Sequence, residues 1–312
     1  PEADQRALLV MAKEAGIKVG IECGYFDWEP SLEDFTADPN PKGISEQVRK
    51  TLAPGIGAET ARIEMRKLAH VIDGYGPPDY LVLDGPVRRL IHPGADLGRT
   101  TPHGDEQGLD GIDAAVDEVI GYMRTWRARY PSVQFIFLTN FPNWGWKGEM
   151  AYWASGPEAM FWGDYAPVVR ALLERSAAAG LPPASVRADN PYDYFTATAE
   201  VPSPPWPTAL KDRTTVDWPA RLLDLERTVT DAGIAFDLII NSGQAGHTSD
   251  EAVYEASLVY LERYRAMGGE ARRYVFQTWY PHPKEMGPET EPHTMTYLLR
   301  EVIRRVKGAA ED

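Results

Sequence analysis

The chain has 312 residues, 43% of them hydrophobic, one Cys and a formal net charge of −14. Its length and apolar content suit one sizeable core, and the negative balance argues against nucleic acid or an anionic membrane surface as a partner. A single Cys excludes an intramolecular disulfide or a multi-Cys zinc site, and the longest apolar run falls far short of a membrane span.

Residues 3–15 carry apolar side chains at helical spacing and stop at Gly16. The next stretch, "KVGIEC" at 18–23, reads as a short buried strand with Glu22 inside it. An ionised carboxylate there is costly unless it is paired, hydrated or neutralised. A helical pattern at 59–72 leads to a strand at 79–84 ("DYLVLD"), and one at 112–130 leads to "QFIFLTN" at 134–140. The helix at 165–179 is followed by "SVRAD" at 185–189, and the helix at 218–232 by "FDLIIN" at 236–241. Thr248, Ser249 and Asp250 are start signals for a helix at 249–267, which precedes "YVFQTW" at 274–279. A last helix covers 294–306. "AAAGLPP" and "AMGGEARRY" are helix stops that lead into the next strand.

Strand–helix alternation along the whole chain implies parallel strands with crossover helices. No Gly-rich phosphate loop follows any strand. The strand-to-helix loops are long and rich in Trp, Tyr, Pro and Asn, while the return turns are short. That asymmetry favours a (β/α)8-type TIM barrel, a single domain over 1–312, above an open doubly wound sheet. Six strands are two short of eight, so the expectation is a barrel with an incomplete or permuted first strand. One missing strand would precede Pro1, and another would lie near 193–200. The Pro-rich "VPSPPWP" at 201–207 reads as a loop excursion, not a linker.

Side chains alternate between the faces of a strand. In "KVGIECG", Val19, Ile21 and Cys23 then face the helices, and Gly20, Glu22 and Gly24 face the barrel axis. The same count turns Asp84, Asn140, Asp189, Asn241 and Gln277 inward at the ends of the other strands, with Arg187 on the face of Asp189. Barrel enzymes keep their chemistry at this end of the strands. Asp and Asn also cap helices and make turns; agreement in phase across six strands makes turn chemistry alone the weaker account. No His ends a strand, no Lys points inward for Schiff-base chemistry, and there is no G-x-S-x-G elbow. His92 and His103 share a loop with Asp96, Asp105 and Glu106, but the irregular spacing reads as a solvated loop, and no metal or cofactor is expected.

The loops after the strands carry Tyr25, Trp144, Trp146, Tyr192 and Trp279, with Asp193 as a further carboxylate. Carboxylates set among amides and aromatic rings point to glycosidic bond cleavage, which needs one protonated and one ionised carboxyl group. The catalytic candidates are Glu22, Asp84 and Asp189; Arg187, the three amides and the loop residues are candidates for holding the sugar. The strand-end pattern and rim loops resemble those of TIM-barrel glycoside hydrolases. The resemblance implies a carbohydrate substrate and, for a polysaccharide, an extracellular or periplasmic setting. It is not a motif match. In "TNFP", Phe141 stands where the commonest barrel glycosidases place a Glu after Asn, the last strand ends in Gln277 and Trp279, and DxxDxDxE is missing. The rival readings are a barrel that binds glycans without cleaving them, and a metal-dependent lyase or isomerase built on the same three carboxylates.

Overall fold

The computed structural model describes residues 2–24, 55–91, 109–152, 162–199 and 213–308. The chain is mixed α/β, with a six-stranded parallel sheet whose strands are neighbours in chain order, β1-β2-β3-β4-β5-β6. It is not a closed eight-stranded barrel: among the described residues there are six strands, and the order ends at β1 and β6. A strand near 193–200 does not form over its described part. Thr198 N and Ala199 N both donate to Asp193 O, so the backbone groups a ladder would need are used in a local turn. No helix among the described residues is long and apolar enough to cross a membrane.

The chain divides into two compact units, Pro1–Thr139 with Trp162–Val186, and Asn140–Phe161 with Arg187–Asp312. The first holds α1 (Glu2–Glu14), β1 (Gly20–Cys23), α2 (Ile56–Lys67), α3 (Ala69–Tyr75), β2 (Tyr80–Asp84), α4 (Pro86–Ile91) and α5 (Leu109–Arg129). It also holds nearly all of β3 (Gln134–Asn140), then α6 (Tyr165–Ala178) and the start of β4 (Ser185–Asp189). Its core forms where Leu81, Leu83, Phe135 and Phe137 meet the helices, with Val119, Tyr122, Met123 and Trp126 of α5 fully buried. The expected single helix at 59–72 is two, α2 and α3, broken at Leu68. Glu118 of α5 accepts Gly55 N at 2.7 Å and Gly57 N at 2.8 Å, so one carboxylate serves two unsatisfied amides at the start of α2.

The second unit holds α7 (Tyr192–Phe195), α8 (Trp218–Asp231), β5 (Ala235–Ile240), α9 (Gly243–Gly246), α10 (Asp250–Ala266), β6 (Arg273–Phe276) and α11 (Met295–Lys307). Its three long helices start on side-chain caps: Asp217 accepts Ala220 N, Ser249 accepts Ala252 N and Thr294 accepts Tyr297 N. Leu258, Leu261, Met295, Leu298 and Val302 pack as one cluster, and Tyr152, Ala199 and Trp218 as another. β6 ends three residues before the predicted 279. Thr278 Oγ1 donates to His282 O at 2.8 Å and accepts Tyr280 N at 3.1 Å, which turns the chain out of the sheet.

Candidate functional site

In the first unit the parallel register pairs Glu22 with Val82 and Val82 with Ile136, and pairs Cys23 with Leu83 and Leu83 with Phe137. Residues in register share a face. Cys23 sits on the helix side, 3.2 Å from the phenol oxygen of Tyr122 in α5. Tyr122 O–H donates to Glu64 of α2, whose other oxygen accepts Gly24 N at 2.8 Å. Burial, and next the Glu64 charge, pushes the Cys23 thiol up, and burial pushes the Tyr122 phenol up. This neutral thiol–phenol pair beside one carboxylate fixes the helix side of the C-terminal end of β1. Glu22 therefore faces the other way, as the alternation predicts. Asp84 pairs with Leu138 on that same second face, two residues further along than Glu22 and Val82. Both carboxylates are partly exposed. Gly24 takes φ +71 at the turn, and a Cβ there would lie 2.7 Å from Leu83 Cγ, so the exit from β1 requires glycine.

In the second unit two polar layers lie on one face. Asp237 of β5 is in register with Arg273 of β6. Arg273 Nε lies 3.0 and 3.1 Å from the two oxygens of Asp237, and Arg187 Nη2 lies 3.5 Å from one of them. Asp237 is 0% exposed. Four residues on, past the Ile239–Val275 pair, Asn241 and Gln277 follow directly after the last residues of β5 and β6. There Asn241 Nδ2 donates to Asp189 Oδ1 at 3.3 Å. An ionised carboxylate only accepts, so the amide must turn its NH2 toward Asp189. That leaves Asn241 Oδ1 buried without a donor among the described residues.

Beside this layer, Asp193 is buried and accepts Ser242 O–H at 2.7 Å and Gln244 N at 3.0 Å. It is thus a fixed anchor of the turn into α9. Burial, and then the charges of Asp189 and Asp193, push the Tyr280 phenol up to about 12. The Tyr280 ring packs so closely on α9 that a Cβ on Gly246 would lie 2.5 Å from Tyr280 Cβ. His282 Nδ1 hydrogen-bonds Asp250 Oδ1, the His282 backbone N–H donates to Gly246 O at 3.1 Å, and the ring bond holds the Asp250 carboxyl below its ordinary range.

The aromatic candidates divide. Trp279 is 69% exposed, and Tyr192 is partly exposed with Arg263 over its ring. Trp144 and Trp146 are each 2% exposed, contrary to their expected place on a sugar-binding rim. Trp146 Nε1 donates to Asp224 at 2.9 Å, and Arg221 donates to the Trp144 carbonyl while stacking on Phe141 and Trp218. A buried cation thus draws this loop inward. Asn140 ends β3 and is exposed. Tyr25, and the loop with His92 and His103, lie outside the described residues.

Sequence reasoning missed Asp237, Arg273 and the His282–Asp250 pair. The polar Asp237 and Arg273 near the starts of otherwise apolar strands were the available signal. Among the described residues, no group of three or more His, Cys, Asp and Glu is placed to hold a metal ion. No protein-family model matches the chain, and no curated protein matches it in sequence.

Proposed function

We propose that the protein is a carbohydrate-active hydrolase of the β/α-barrel kind, with Glu22 and Asp84 as its working carboxyl pair. The observation that carries this is the register of β1 and β2, which sets both groups on one face at the C-terminal ends of adjacent parallel strands. Adjacent strands lie about 4.8 Å apart and two residues advance about 6.6 Å, so the two Cα atoms are roughly 8 Å apart. Side chains of these lengths then span the carboxyl separations that glycosidic hydrolysis uses, about 5–9.5 Å. Asp189, the third catalytic candidate, is held by Asn241. Gln277 and the exposed Trp279, which follow β6 in the same unit, offer a hydrogen-bonding amide and a stacking face suited to a polyhydroxylated ligand.

The test is a polysaccharide screen with mass-spectrometric detection of products, run on the wild type, Glu22→Gln, Asp84→Asn and Asp189→Asn. Loss of one member of an acid–base pair is expected to slow hydrolysis about 10²–10⁴-fold. Wild-type rates in both Glu22→Gln and Asp84→Asn would remove the assignment. Saturable calorimetric binding of a glycan with no product released would replace hydrolysis by recognition.

A further inference from the structure

A cleft of about 710 Å³ in the second unit lies between α7, the segment before α8 and the end of α10. Its walls carry two guanidinium groups, Arg213 and Arg263, and one carboxylate, Asp217. Asp217 is occupied as the cap of α8, accepting Ala220 N at 3.0 Å. Arg213 donates to Ala199 O at 2.7 Å and to the Tyr152 hydroxyl at 3.2 Å, both neutral acceptors. Arg263 lies 5.7 Å from the centre of the Tyr192 ring. Neither arginine pairs with a carboxylate among the described residues. In a chain with 46 acidic and 32 basic residues, this cleft is lined by two arginines from different elements and by a single carboxylate that is already engaged as a helix cap. Beside them the cleft is apolar, with Val216, the edge of Trp218 and Met267, which is 46% exposed.

We propose that this cleft binds a small organic anion. A carboxylate or phosphate group pairs with Arg263 and Arg213, and an apolar ring lies toward Met267 and Trp218. Guanidinium groups suit both anions because their planar fork matches two acceptor oxygens. The site is separate from the carboxylate pair of the proposed hydrolase, and its test reads no catalysis.

The experiment is calorimetric and NMR titration of the whole chain with benzoate, phenyl phosphate, inorganic phosphate and neutral benzyl alcohol. The two ring-bearing anions should bind saturably and more weakly as salt rises, with the alcohol at least about tenfold weaker. A preference between benzoate and phenyl phosphate identifies the anionic group, and inorganic phosphate measures how much the ring adds. Arg263→Gln should weaken binding roughly 10–100-fold, the range for a hydrogen bond to a charged group. Arg263 is exposed, so this variant should keep its fold, checked by circular dichroism. Arg213→Lys, which keeps the charge but loses the fork, is the second variant and should weaken binding less. No saturable binding of either ring-bearing anion, equal binding of the alcohol, or unchanged affinity in Arg263→Gln would overturn the proposal.

Discussion

Removing the Asp237 carboxylate should cost far more than removing a typical surface acid. Asp237 is 0% exposed and is shared by two arginines, with Arg273 Nε at 3.0 Å and Arg187 Nη2 at 3.5 Å. In Asp237→Ala the two guanidiniums lose a common counter-charge on the same face of the sheet. Breaking a buried pair costs about 3–5 kcal/mol, mostly because a charge is left behind uncompensated. The Arg273 side chain is 34% exposed, so water takes over part of its solvation, while the Arg187 side chain is 15% exposed and gains less. The low end, about 3 kcal/mol, is therefore expected. At about 2–4 °C per kcal/mol for a domain of this size, the melting temperature should fall roughly 6–12 °C. Thermal and urea unfolding, followed by circular dichroism and Trp fluorescence, measure it. Asp237→Asn, which keeps the shape and loses the charge, should fall between. The double variant Asp237→Ala with Arg187→Leu should lose less than the sum of its parts, by about 1–3 kcal/mol. A loss under about 0.5 kcal/mol in Asp237→Ala, or strict additivity in the double variant, would refute a shared buried ion pair.

Gly57→Ala should destabilise the first unit by about 1–3 kcal/mol or more, because the added Cβ would lie 1.7 Å from the Glu118 carbonyl oxygen and α2 must move off α5; urea midpoints measure it. Tyr280 should ionise near 12, against about 10 for a free phenol. Its raised value favours the protonated folded state, so that contribution is complete below about pH 10 and is lost as pH rises toward 12. The ultraviolet difference titration of Tyr280→Phe should lack one phenol in that upper range, and a missing phenol near 10 would contradict the burial described for the ring. Asp250 has the opposite sign. Its carboxyl is held down by His282, so its contribution is present above about pH 4 and lost as pH falls through the folded value. The stability gap between wild type and Asp250→Asn should therefore close on acidification.

Face alternation carried the most information in the sequence because the period of a strand is two and allows no slack. It predicts Glu22 and Cys23 on opposite faces, and the Tyr122–Cys23 contact with the Val82 register puts them there. It predicts Arg187 and Asp189 on one face with Asn241, and the Asp189–Asn241 bond agrees. Alternation does not say which cross-strand neighbour a charge chooses. Asp189, on the same face, lies two residues along the strand from Arg187. The structure pairs Arg187 across the sheet with Asp237, because neighbouring strands sit closer than two residues along one strand. That pairing depends on register, which no single strand encodes.

The aromatic residues were legible as types but not as positions. Trp and Tyr suit a sugar-binding rim and a buried loop equally, since each offers a large apolar face with one polar atom. What separates Trp279 from Trp144 and Trp146 is a partner distant in sequence. Arg221, 3% exposed, donates to the carbonyls of Trp144 and Met150 and stacks on Phe141, so the 141–150 segment folds inward around a cation. After β6 the chain is turned outward instead by Thr278 and pinned by the His282–Gly246 bond, and that leaves Trp279 facing solvent. The same loop chemistry thus produces a core in one place and an open surface in the other. The deciding terms are a buried arginine and a threonine turn, neither of which announces its partners in the sequence.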